Sequence, residues 1–106
     1  MEQLQSINQL NHVIEANNTF LLLKHSLTCP ISAKAKEEYD SFHQEQSAPP
    51  MFIIHVQEAR ELSNYIETSF QVKHESPQVL LFNDNKVVWH DSHGGITKQS
   101  LQKHTT

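Results

Sequence analysis

A chain of 106 residues with one cysteine and a formal net charge of −4 is already excluded from several protein classes. A lone thiol closes no disulfide within the chain and builds no cysteine-rich zinc or iron–sulfur site by itself. The acidic balance is the wrong sign for a general nucleic-acid binder, and the longest apolar run, Phe20–Leu23, is far short of the ~20 residues that cross a bilayer.

The length suits one domain over residues 1–106, able to fold on a single core. Residues 2–16 place Leu4, Ile7, Leu10 and Ile14 at the spacing of an amphipathic helix, and Asn17-Asn18 offer a stop. Thr19–Lys24 is apolar and too short for a helix, so it reads as a buried strand. Residues 25–29 form a loop, and Pro30 suits the first turn of a second helix, where its missing N–H is not needed. Ile31, Ala35, Tyr39 and Phe42 continue that helix, with Tyr39 and Phe42 on its core face, and Ser47-Ala48-Pro49-Pro50 break it. Met51–Val56 reads as a second strand, and Ala59, Leu62, Ile66 and Phe70 mark a third helix.

Pro77 precedes a third strand, Gln78–Phe82, and Asp84-Asn85 turn the chain into a fourth, from Lys86 to Trp89 or His90. The only glycines, Gly94 and Gly95, break the chain again and are too few for a phosphate-binding loop. Thr97 caps a last helix through His104. The order is α-β-α-β-α-β-β-α. The helix between the first two strands makes them parallel with a right-handed crossover, and the last two form an antiparallel hairpin. This α/β arrangement, a four-stranded mixed sheet flanked by helices, resembles the thioredoxin-like fold.

Cys29 falls between a buried strand and a helix that opens with proline. Unpaired N–H groups and the helix dipole make such a position favourable for a thiolate. The string Thr28-Cys29-Pro30-Ile31-Ser32 resembles a thioredoxin-family active site whose second cysteine is serine. With the element order and Ser76-Pro77 before the third strand, it resembles the monothiol bacilliredoxin family across essentially the whole chain. The resemblance implies an enzyme that removes bacillithiol, a low-molecular-weight thiol, from proteins carrying it as a mixed disulfide. Cys29 matches the nucleophile, and Thr28, Pro30, Ile31 and Ser32 match the rest of the motif. Ser32 does no thiol–disulfide exchange, so a second bacillithiol or another thiol carrier must reset Cys29. Its hydroxyl can donate to the Cys29 sulfur, or it can be a buried serine without a chemical role. The resemblance also implies a cis Ser76–Pro77 bond facing the cysteine, with the Ser76 backbone pairing with the incoming peptide or with bacillithiol.

Eight histidines raise the question of a metal, with His90-Asp91-Ser92-His93 the densest cluster, His25 four residues before Cys29 and His55 at the end of the second strand. No spacing among them enforces convergent ligands, so no metal site is expected. His93, beside Gly94-Gly95, can approach Cys29 from the loop after the fourth strand. Trp89 is expected to pack on the sheet. Lys24, Lys34 and Lys36 are either ordinary solvated lysines or attractors for the malate carboxylates of bacillithiol. The expected partners are bacillithiol as co-substrate and bacillithiolated client proteins, with no bound cofactor, nucleic acid or membrane. A monomer is expected. Met1-Glu2-Gln3 has neither the basic start nor the apolar stretch of a signal peptide, so a reducing cytoplasm is the expected location. Two other readings use the same residues: a thioredoxin-like binding or adaptor module that does not turn over, and a glutathione-type monothiol glutaredoxin or iron–sulfur carrier. Against a cluster carrier, Pro30 stands where those proteins have glycine.

Overall fold

The strand leading to Cys29, Thr19–His25, lies in the middle of the sheet in the computed structural model, which describes residues 1–105. The elements in chain order are β1 (Glu2–Gln3), α1 (Ile7–Ala16), β2 (Thr19–His25), α2 (Pro30–His43), β3 (Met51–His55), α3 (Arg60–Phe70), β4 (Gln78–Asn83), β5 (Lys86–Ser92), a 3₁₀ turn (His93–Gly95) and α4 (Lys98–Thr105). The strands lie in the order β1-β3-β2-β4-β5, so the sheet has five strands where the sequence suggested four. The added strand is two residues long, parallel to β3, and followed by Leu4, whose N–H donates to the Ile53 carbonyl at 2.8 Å. Two residues carry no readable period, and Leu4 belongs to this edge rather than to the first helix. Helix α1 starts at Ile7, where Ser6 and Gln9 form a reciprocal capping box.

β2 runs parallel to β3 and antiparallel to β4. Helices cover both of its faces, which is why Phe20–Leu23 run apolar rather than alternating. Phe20 and Leu22 pack toward α1 and α3 with Ile54, Leu62, Ile66 and Phe82. Leu21 and Leu23 pack toward α2 and α4 with Tyr39, Phe42, Ile53 and Leu101. The Tyr39 hydroxyl, fully buried, donates to the Phe52 carbonyl at 2.9 Å and ties α2 to β3. A register shift opposite Leu81 and Phe82 lets β5 set Val87 against the α1/α3 core and leaves Val88 exposed. Trp89 packs against the α2/α4 core and stacks on His104 with ring centroids 4.2 Å apart.

The β4–β5 turn places Asp84 and Asn85 at φ of 53° and 61°, the left-handed pair that suits a tight hairpin. Beyond β5, Gly95 leaves room for the Asp91 side chain; a Cβ there would run into its carboxylate. Thr97 and Ser100 exchange backbone-to-side-chain hydrogen bonds of 3.0 and 3.1 Å, starting α4 at the expected cap. No helix among the described residues is long and apolar enough to cross a membrane.

Candidate active site

The end of β2, the start of α2, the residues before β4 and the residues after β5 meet at one end of the sheet. The register fixes this: Lys24 lies opposite Gln78, and Gln78 opposite Ser92. Cys29 is the N-cap of α2, with extended backbone (φ −101°, ψ 122°), and Pro30 is the first helical residue. Its thiol is partly exposed. The Ser32 N–H contributes most to holding the thiol below its ordinary pKa. The Ile31 N–H comes next and the Ser32 hydroxyl adds a smaller part, against a small opposing effect of desolvation. These are the orphan donors of a helix N-terminus, aimed at sulfur instead of at a capping oxygen. Ser32 is fully buried, and its Oγ accepts from the Ser26 N–H at 3.3 Å, which leaves the hydroxyl proton for the sulfur.

The loop before Cys29 is held from outside by Gln57. Its Nε2 donates to Ser26 Oγ at 2.8 Å and to Thr28 Oγ1 at 3.4 Å, and its Oε1 accepts from the Leu27 N–H at 3.1 Å. On the other flank the Ser76–Pro77 peptide is cis. The ladders of β4 with its neighbours begin at Gln78, so the Ser76 backbone lies outside the sheet pairing. The Pro77 carbonyl accepts from the His93 N–H at 3.1 Å, which ties the segment after β5 to the proline. Beside Cys29 runs a groove of about 630 Å³ whose walls include Pro30, Ile31, Ala35, His93 and Ile96. Ile31 is 52% exposed on it, an apolar side chain left in solvent next to the thiol.

Residues 2–101 match the family described as "Monothiol bacilliredoxin BrxC". The chain belongs to the monothiol bacilliredoxin family. A solved structure described as a thioredoxin-fold oxidoreductase is 41% identical and superposes with a TM-score of 0.93, over 99% of this chain and 93% of that one. A thioredoxin of Fasciola hepatica (14% identity, TM-score 0.78, 99% and 96% covered) and mitochondrial thioredoxin 3 of Saccharomyces cerevisiae (13%, 0.79, 99% and 92%) share the fold. This bacilliredoxin-family chain is therefore a thioredoxin-fold thiol oxidoreductase, and its sole thiol is at the N-terminus of α2.

The residues singled out in the sequence gather at that end of the sheet. Thr28, Cys29, Pro30, Ile31 and Ser32 are consecutive across the strand–helix junction, and Ser76-Pro77 lead into the neighbouring strand. His93 lines the same groove as Pro30 and Ile31. The three lysines fare differently. Lys34 lines the groove, and Lys36 is held by Asp40 at 2.7 Å. Lys24 is fully buried, which corrects its reading as a solvated lysine. It belongs to a central strand covered on both faces. Its Nζ lies 3.3 Å from the Ser63 carbonyl and 3.2 Å from His74 Nδ1, and desolvation lowers its pKa to about 8 against a smaller raising effect of Glu67. Gln57 and the Lys24–Ser63–His74 group went unnoticed in the sequence. The polar letter inside the apolar run of β2 was the available signal for Lys24; nothing local marks Gln57. His25 is buried against the His55 ring, its Nδ1 without a partner among the described residues, and desolvation first, then His55 and Lys36, lowers its pKa. No three His, Cys, Asp or Glu side chains converge as a metal site among the described residues.

Proposed function

We propose that this protein removes bacillithiol from S-bacillithiolated proteins through a monothiol mixed disulfide on Cys29. One observation carries the reading: the chain's single cysteine stands at a helix N-cap with two backbone N–H groups and the Ser32 hydroxyl lowering its pKa, and no second cysteine exists to resolve it. The Cys29 thiolate attacks the bacillithiol sulfur of the mixed disulfide. The Cys29–bacillithiol bond forms, the bond to the client breaks, and the client leaves as a thiolate. A second bacillithiol thiolate then attacks the bacillithiol sulfur on Cys29. It releases the bacillithiol disulfide and restores the Cys29 thiolate, so one free bacillithiol is consumed and the client sulfur is returned to its thiolate.

Thr28, Pro30 and Ile31 shape the approach to the sulfur, and Ser32 stabilises the thiolate without exchanging. The unpaired backbone of Ser76 beside the cis proline pairs with the client chain or with bacillithiol. The groove of Pro30, Ile31 and Ile96 supplies apolar contact. The protein works as a monomer with its thiol open to clients, and in a reducing cytoplasm, where free thiols are available to reset it.

The test is release of bacillithiol from a purified bacillithiolated client, followed by mass spectrometry. The wild type accelerates release, Cys29→Ser loses nearly all of the acceleration, and Ser32→Ala keeps most of it. Release no faster with wild type than with Cys29→Ser would mean a binding module rather than an enzyme.

A further inference from the structure

Between the loop that carries Cys29 and the segment that carries Ser76-Pro77, on the α3 side of the sheet, lies a cavity of about 200 Å³ lined by Val56, Gln57, Arg60, Ser63, Asn64 and His74. Every polar side chain in its wall can donate a hydrogen bond, and none is a carboxylate. Four other surface cavities each have a carboxylate in their walls: Glu15, Asp40, Glu38 and Glu2. In a chain of net charge −4, the single arginine stands in the one wall of these five that lacks an acid.

The wall is backed by further positive charge. Lys24 lies behind it, fully buried, donating to the Ser63 carbonyl and to His74 Nδ1. A protonated lysine can only donate, so Nδ1 is the acceptor and the remaining proton of the neutral ring is on Nε2. The first turn of α3, which begins at Arg60, receives no side-chain cap from Ala59. Carboxylates near the cavity stay out of its wall: Glu67 accepts from the His74 backbone N–H at 2.7 Å and offsets part of the Lys24 charge, Glu75 acts on His74 in the same sense, and Glu58 accepts from Gln3 and contacts His55. Glu61, on the same turn as Arg60, is not part of the wall. The volume is below the ~300–1,000 Å³ usual for a whole drug-sized ligand, so the cavity takes one end of a ligand.

Gln57 locates that ligand. It lines the cavity and also holds Ser26, Leu27 and Thr28, the residues before Cys29. His74, on the opposite side, is two residues before Ser76. The donor-rich recess is thus joined through Gln57 to the residues that lead into Cys29. We infer that the cavity formed by Gln57, Arg60, Ser63, Asn64 and His74 binds the malyl carboxylates of bacillithiol, with Arg60 as the principal charge, while its thiol is at Cys29. This inference rests on the bacillithiol reading above and adds the residues that would recognise the co-substrate.

Two measurements test it separately. In the release assay, Arg60→Gln lowers kcat/KM for the bacillithiolated client by about tenfold, the cost of one charge-assisted contact, because the malyl group reaches the cavity when the client's bacillithiol sulfur reaches Cys29. The rate of Cys29 alkylation by uncharged iodoacetamide does not change. Lys86→Gln, the same charge change at the far end of the sheet, leaves kcat/KM unmoved. With a client that carries bacillithiol lacking its malyl group, wild type and Arg60→Gln become equal. Equal kcat/KM values for the intact bacillithiolated client in wild type and Arg60→Gln overturn the inference, and so does an equal loss with the client that lacks the malyl group, which would assign the recess to protein carboxylates.

The second measurement needs no turnover. Unreactive S-methyl bacillithiol shifts the amide signals of Gln57, Arg60, Asn64 and His74 in wild type and not in Arg60→Gln. Shifts in a protein that releases no bacillithiol would sustain the cavity and overturn the enzymatic reading. Absence of shifts in an active protein would overturn the cavity alone.

Discussion

The three donors at Cys29 are unequal, and their order decides what substitution can do. The Ser32 N–H contributes most to lowering the thiol pKa, the Ile31 N–H next, and the Ser32 hydroxyl least among them. Backbone donors survive a change of side chain. Ser32→Ala therefore raises the pH midpoint of iodoacetamide alkylation only slightly and leaves it below the ordinary cysteine value of about 8.5. In both proteins the rate climbs as pH rises through the lowered pKa and then levels off. A wild-type midpoint at or above 8.5 would remove the activated thiol from the mechanism. Much of this residue-scale picture was legible, because Cys29, Pro30 and Ser32 are consecutive in chain and function and a strand–helix junction is easily read. The Gln57 contacts were not, since they join positions some thirty residues apart and depend on the crossover from β2 to β3.

At the scale of elements, α2 delivers its N-terminus to the active end because its core face is anchored further along. Tyr39 and Phe42 are buried beneath it, and the Tyr39 hydroxyl reaches the Phe52 carbonyl across the helix–sheet interface. Tyr39→Phe keeps the ring and removes the hydrogen bond. It should cost about 1 kcal/mol in urea unfolding while leaving the alkylation profile of Cys29 unchanged, because none of the donors to the sulfur moves. A shifted profile would mean that the buried anchor, and not the local turn, sets the position of the N-terminus. The helical period over Ile31–Phe42 and the apolar run of β2 made these elements readable, whereas β1 escaped. Its two residues gain their hydrogen bonds from β3, some fifty positions away, and Leu4 is buried by that edge although it also fits the spacing of α1.

On the scale of the whole molecule, the central strand carries an ammonium group where every physical expectation favours a hydrocarbon. Burial lowers the pKa of Lys24 from 10.5 to about 8. Below about pH 8 the group is charged in both folded and unfolded chains, and the folded state bears the full cost of desolvating it. Between about 8 and 10.5 the unfolded chain binds more protons, so this group makes stability rise with pH across that window. Lys24→Met keeps the length of the side chain and removes the charge, and His74 Nδ1 retains the Ser63 hydroxyl 3.2 Å away. The variant should be more stable than wild type at pH 7, by on the order of 1 kcal/mol or more. Its advantage should shrink as pH rises from about 8 toward 10.5, where wild-type Lys24 sheds its proton. The same change takes positive charge from behind the Arg60 cavity, so kcat/KM for the bacillithiolated client should fall as stability rises. A lysine retained for its charge at the active end of the sheet predicts this opposition; a lysine that only fills space predicts a variant with unchanged kcat/KM.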